Sequence, residues 1–359
     1  MNIDKLQSSE LQNISLLSLI DFSRRSEQIF ERAIEWAKFS FHHQLPLILG
    51  HCHRNSRLDK KFLERVRQYQ PIVKVVSIEL NDGSLPNLAR LRNEGFKLIA
   101  TPLMTLLDID IYPDIGLLRG LLFLKLKENV RSVMAPCLYL SERGSKELRR
   151  TSNSAQLWEK YLQFHSQHFM HIAMPSSVIL LHADDYSKIG GFDEDYQGHG
   201  FEDFDFMVRL WNANGWREIT SNDIATNEPY RAAMLGYGFR GKLARLSLQA
   251  LAHDVIAMHL YHAVQAKEKY YQARVNNFDI FREKMSAYSV VNSTNSMHQI
   301  VENINIFFQL CERDKKNPLK YERLFDATPI YIRDKYSLKR LIRKIFIKIM
   351  IISEKLFNK

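Results

Sequence analysis

Cysteine is scarce: Cys52, Cys137 and Cys311 are the only three in 359 residues. They are too few and too scattered for a disulfide framework, show no zinc-ligand spacing, and fit a reducing compartment. The opening stretch, Met1 to Lys5, lacks a basic region followed by an apolar one, so no secretory signal is read there. Low-complexity tracts and internal repeats are absent. What remains is an ordinary globular composition, 45% hydrophobic and 25% charged. The length suits one large domain with an appendage, or two domains.

Basic residues exceed acidic ones by ten, but the excess is local. From Tyr331 onward the basic residues are Arg333, Lys335, Lys339, Arg340, Arg343, Lys344, Lys348, Lys355 and Lys359, against Asp334 and Glu354. Without this tail the body is nearly neutral, which argues against nucleic-acid binding by the main domain. Within the tail, Leu338, Leu341, Ile342, Ile345, Ile349, Ile352 and Leu356 follow helical spacing. The run is shorter than the roughly 20 apolar residues that span a bilayer, and Lys348 interrupts it. A basic amphipathic helix suits the surface of an anionic membrane, each basic residue contributing about 1 kcal/mol near the headgroups. Packing on the domain or against another subunit produces the same periodicity.

Along the body, strands alternate with helices. Strands are expected at 14–20, 45–49, 72–78 and 103–107, and further ones at 132–140 and 177–182. Helices are expected at 26–39, 59–69 (capped at Asp59), 85–94 (ended by Gly95), 155–167 and 202–213. Residues 142–150 read as a charged loop, and beyond Asp254 the pattern is helical with no strand signal. Such alternation predicts an α/β fold with a mostly parallel central sheet and helices on both faces, its ligands at the carboxyl ends of the strands.

Two acidic clusters stand out. Asp108-Ile109-Asp110 closes the apolar run Leu103 to Leu107, and Glu202-Asp203-Phe204-Asp205 follows Gly198-His199-Gly200. Asp-x-Asp alone equally describes a solvated turn. At the end of a buried strand, however, unpaired carboxylates are costly, and a divalent cation would compensate them. The second cluster opens a helix, where acidic residues complement the dipole. Its glycine-rich approach, with Gly190-Gly191 just upstream, also lets a ligand come close, and a carboxylate there suits general-base work on a hydroxyl. Among 13 histidines, His262 and then His259 are the candidates for a mixed Asp/His metal site.

Four stretches in order resemble the GT-A glycosyltransferases, specifically the family-2-like enzymes of bacterial capsule and surface-polysaccharide synthesis. Asn87 to Gly95 is similar to the "ARNxG" helix, and Leu106 to Asp110 to "hhDxD". Lys188 to Glu194 is similar to "xIGGFDE", and Gly200 to Leu210 to "GxEDxDFxxRL", shared in part with chondroitin-polymerase and galactosyltransferase groups. His259-Leu260-Tyr261-His262 resembles the histidine segment of capsule enzymes. The resemblance implies a GT-A catalytic domain over residues 13–280, followed by a helical C-terminal extension over 281–359.

It also implies a metal-dependent, inverting hexosyl- or N-acetylhexosaminyltransferase. Mn2+ or Mg2+ would be held by Asp108 and Asp110, with Asp203 as base and Glu202 orienting the acceptor. Arg92 and Asn93, with Arg90 behind them, would place the nucleotide or brace the aspartate strand, and Asp108 would contact the donor. A UDP-sugar donor and a glycan or glycolipid acceptor follow from the same resemblance. With the basic tail, it places the chain in the cytoplasm, peripheral to the inner face of the membrane.

One stretch departs from the family. Relatives carry "DDGS" after the second strand to hold the nucleotide base; here Leu49 to Ser56 reads LGHCHRNS, leaving His51 and Asn55 as substitutes. Two other readings compete. A haloacid-dehalogenase-like phosphohydrolase also ends a strand with Asp-x-Asp, but Tyr112 stands where that family prefers threonine or valine. A non-catalytic binding subunit would not need both acidic clusters intact.

Overall fold

The computed structural model describes residues 8–81, 83–227, 232–263, 268–288 and 296–326. The basic segment after Tyr331 lies outside the described residues. In chain order the elements that position the site are β1 Ile14–Asp21, α1 Ser26–His43, β2 Leu47–His53, α2 Arg57–Val66, β3 Val73–Glu79, α3 Leu88–Phe96, β4 Leu103–Leu106 and α4 Ile115–Lys127. Then follow β5 Ser132–Met134, β6 Cys137–Leu140, α5 Glu142–Thr151, α6 Ser154–Leu162, β7 Phe169–Ala173 and β8 Ile179–His182. The last are α7 Glu202–Ala213, β9 Ala257–His259, α8 Arg274–Met285 and α9 Ser296–Arg313.

The main sheet runs β3-β2-β1-β4-β8-β5. Its first four strands are mutually parallel, and β8 is antiparallel to both neighbours. A second sheet has the order β7-β6-β9. β1 is buried nearly throughout because both its faces are covered, as in any central parallel strand. Successive residues point to opposite faces. Leu16 packs with Trp36 of α1, Phe62 of α2 and Leu121 of α4. Leu17 packs with Ala89 of α3, Phe206 of α7 and Phe281 of α8. A third core joins Leu138 of β6 and Trp158 of α6 to Phe307 and Cys311 of α9.

Several local expectations change. The run 132–140 is two strands in different sheets, broken at Ala135-Pro136, because proline has no N–H for a ladder. The loop expected at 142–150 is helix α5, capped by Ser141 Oγ accepting from the Gly144 N–H at 3.1 Å. Only Gly144 and Leu148 are buried on α5, so there is no apolar stripe to read. The α2 cap is Ser56 rather than Asp59; the two form a reciprocal capping box with Asp59 at its third position. Gly95 lies inside α3, pressed against Leu17, rather than ending it. The helix expected to reach Gln167 ends at Leu162.

β9 falls where no strand signal was present, a three-residue strand fixed by its partner β6. Helix α8 runs unbroken across residue 280, and α9 shares the third core with β6. The described part of the extension therefore packs into the body.

Gly144 meets the β6–β7 connection so closely that a Cβ would overlap the His168 carbonyl oxygen. Gly144→Ala is expected to destabilise the fold by about 1–3 kcal/mol, read as a lower urea midpoint at unchanged slope.

Candidate active site

The carboxyl ends of β1 and β4 open onto a cleft of about 340 Å3. Asp108, Asp110, Glu202, Asp203, His259 and His262 all line it. A larger groove of about 970 Å3 lies between α1 and α2, lined by acidic and basic side chains around Phe30 and Ile34, and holds none of these residues.

Asp110 is brought to His259 by backbone pairing. Ile111 forms a bridge with His259, the Leu260 N–H donates to the Asp110 carbonyl at 2.8 Å, and the Tyr112 N–H donates to the Met258 carbonyl at 2.8 Å. From α1 and its cap, Arg25 grips the Asp110 carboxylate through both terminal nitrogens at 3.2 and 3.0 Å, and buried Arg32 pairs with the same group. Arg32 also donates to the Tyr261 carbonyl at 2.7 Å, and Ser145 of α5 accepts from the Tyr261 N–H at 2.7 Å. The histidine segment is thus pinned from two sides.

Ligand atoms of Asp110, His259 and His262 lie within 4.8 Å of one another. His259 Nδ1 is 2.9 Å from the Leu260 carbonyl and His262 Nδ1 is 3.2 Å from the Ala263 carbonyl. Those acceptors assign the ring proton to Nδ1 and free each Nε2 lone pair. Burial lowers His259 to about 3 and His262 to about 4, so both rings are neutral at pH 7. Two neutral imidazoles and a carboxylate fit a divalent cation. Asp108, also expected in the metal set, is outside this group. Its side chain is 40% exposed and accepts from Ser177 Oγ at 2.7 Å. Both aspartates lie past the end of β4, so strand alternation no longer holds them on one face, and Asp110 is drawn to β9.

Arg92 centres the second half of the site. It lies 3.4 Å from Glu202, 3.5 Å from Asp203 and 3.9 Å from Asp108, with its guanidinium 4.5 Å over the Phe192 ring. Burial alone would lower its pKa; the three carboxylates outweigh that and raise it. Desolvation, then the charge of Glu202, raises the Asp203 carboxyl well above the usual aspartate range, against the pull of Arg92.

The loop before α7 is built for this placement. Gly200 has φ 96° and Phe201 φ 74°, a left-handed turn that only glycine adopts without cost. Buried Asn277 of α8 clamps the turn, donating to the carbonyls of Gln197 and Gly200 at 2.9 Å and of His199 at 3.3 Å. Nothing in the sequence around Asn277 signalled it. Asn277→Ala would leave buried carbonyls unpaired, so we expect a loss of about 1–3 kcal/mol in chemical denaturation.

Other expected residues take different places. Asn93 does not face the cleft. It braces the Gly190-Gly191 turn, accepting from Tyr186 Oη and the Phe192 N–H and donating to the Phe192 carbonyl. A Cβ on Gly191 (φ 71°) would collide with its side chain. Arg90, two positions from Arg92 on α3, points to the opposite side and is exposed. His51 is fully buried between Ser77 Oγ at 3.0 Å and Asp59 at 2.9 Å, and Asn55 is exposed outside the cleft. Neither replaces the missing "DDGS". In that corner Asp21, at the end of β1, lines the cleft and is paired to Arg54 at 3.2 Å. Its position at the end of a buried strand, like that of Asp108, was the signal for it.

A family model described as "Glycosyltransferase like family 2" matches residues 22–286, well over half of the chain. The chain belongs to that glycosyltransferase family, and its α/β architecture is of the GT-A kind. The match decides against the phosphohydrolase alternative. No curated protein sequence matches. Among solved structures, the chain is similar to the catalytic domain of Drosophila beta1,4-galactosyltransferase 7 in complex with xylobiose. That likeness has 15% identity and a TM-score of 0.30, covering 56% of this chain and 61% of that one. A mutant of the fly enzyme, in complex with manganese, UDP-Gal and xylobiose, gives 14%, 0.30, 56% and 62%. S. aureus TarS 1–349 gives 13% identity and a TM-score of 0.38, covering 83% of this chain and 80% of that one. The match thus spans less than two thirds of the fly chains. Among the described residues no helix is long and apolar enough to cross a membrane.

Proposed function

We propose that this glycosyltransferase is a divalent-metal-dependent, inverting enzyme. It moves a hexosyl or N-acetylhexosaminyl group from a nucleotide-diphosphate donor, with uridine as base, to a hydroxyl of a capsule or surface glycan. The observation that carries the reading is a single cleft lined by both Asp110–His259–His262 and the Glu202–Asp203 pair. Asp110, His259 and His262 would hold manganese, which supplies positive charge for the departing diphosphate. Asp108 would face the donor across the same cleft. Asp203, made more basic by its surroundings, takes the proton of the acceptor hydroxyl as its oxygen bonds the anomeric carbon. The bond from that carbon to the diphosphate breaks, and the configuration inverts. Arg92 holds Asp203 and Glu202 in place, and Glu202 orients the acceptor.

A glycolipid acceptor would lie at the cytoplasmic face of the membrane, which the basic segment after Tyr331 would approach by its charge. The test is release of nucleoside diphosphate from a panel of nucleotide sugars with and without manganese. Manganese-dependent release from one donor is expected. A panel in which no donor is bound or cleaved, with or without metal, would refute the reading.

A further inference from the structure

On one face of the small sheet, three rings stand in a row. The strand register puts Tyr139 of β6 opposite His171 of β7 on one side and His259 of β9 on the other. The rings stack nearly parallel: Tyr139 is 4.4 Å from His171 and 4.0 Å from His259, each pair inclined by 15°. The inner end, His259, is buried in the cation-binding group. Tyr139 is half-buried, lines the cleft and feels the charges of Asp108 and Asp203. The outer end, His171, is exposed, and hydrogen bonding to other described residues accounts for neither of its nitrogens.

A stack serving only to orient His259 would need Tyr139 and stop there. The third ring extends the row out of the cleft wall to the surface, with polar edges on an aromatic body. Such edges and faces match a pyranose, which offers a C–H face to a ring and hydroxyls to imidazole nitrogen and phenol. We propose that the His171–Tyr139 end of the row is a subsite for a saccharide ring of the acceptor glycan, next to the ring that receives the sugar. The proposal rests on the glycosyl-transfer reading above and adds where the acceptor lies.

The experiment presents the full chain, with manganese and UDP, to an array of immobilised oligosaccharides, and measures UDP affinity in parallel. His171→Ala should weaken glycan retention about fivefold or more, the effect of losing one aromatic contact, while UDP affinity stays unchanged. His171→Phe, which keeps the stack and loses the nitrogens, should recover part of the loss. Equal retention by wild type and His171→Ala overturns the subsite, as does a wild-type chain that retains no glycan. A chain that retains glycans through His171 but binds neither UDP nor manganese overturns the donor reading and leaves the subsite standing.

Discussion

Asp203→Asn is expected to lower transfer by about 10²–10⁴-fold while UDP and manganese bind as before. The amide keeps the shape of the carboxylate and cannot take a proton from the acceptor. Folding should not suffer. Asp203 sits beside Glu202, with the guanidinium of Arg92 within 3.5 Å of both and that of Arg274 also attracting the pair. Desolvation and the like charge of Glu202 already disfavour its ionised form. Removing that charge relieves repulsion, so the variant should melt no lower than the wild type. A dead enzyme with undiminished thermal stability separates a chemical role from a structural one. The same displacement of the carboxyl gives a pH dependence. The base works when deprotonated, so transfer should rise with pH through a range well above that of an ordinary aspartate. Unchanged turnover in Asp203→Asn would remove the assigned base.

The second large effect concerns the cation. His262→Ala should weaken manganese binding about 10–100-fold or more in calorimetric titration, with little change in melting temperature, because its ring is near the cleft surface. Asp110→Asn should do something different. It removes a ligand and also the counter-charge of Arg25 and buried Arg32. Leaving a buried guanidinium unpaired costs about 3–5 kcal/mol, so this variant should lose both metal and stability. Restoring stability with Arg32→Met in the Asp110→Asn background, without restoring manganese binding, would separate the two roles. Asp108→Asn, by contrast, should leave manganese affinity close to wild type; loss of binding there would reinstate Asp108 in the metal set.

The parts legible in the sequence share one property: they are runs long enough to show a pattern. β1 and β4 lie in continuous buried runs, α1 and α7 carry several turns with apolar positions on one side, and the acidic clusters follow β4 and open α7. The parts that were not legible are short or determined by something distant. β9 has three residues and exists because β6 and the chain after Asp110 pair with it. α5 buries only two residues, and its Ser145 matters only because Tyr261 lies beside it in space. Asn93 was read within a motif at the edge of the site, yet its four bonds are spent on the Gly190-Gly191 turn and Glu194. Asn277 was invisible because its partners lie about 80 residues upstream. A motif identifies residues that meet a ligand; it does not say which neighbours hold the motif still.

The third core has a practical consequence. Every residue assigned a chemical task lies before position 286, where the family match ends. Yet Phe307, Cys311, Tyr321 and Leu324 are fully buried in the core that also holds Leu138 and Met258 of the sheet carrying His259. Trimming the polypeptide at the family boundary would keep the whole catalytic inventory and strip one side from that core. Such a fragment should come out of expression as insoluble material rather than as a weakened enzyme, since the apolar floor it bares would be sought by other copies of itself.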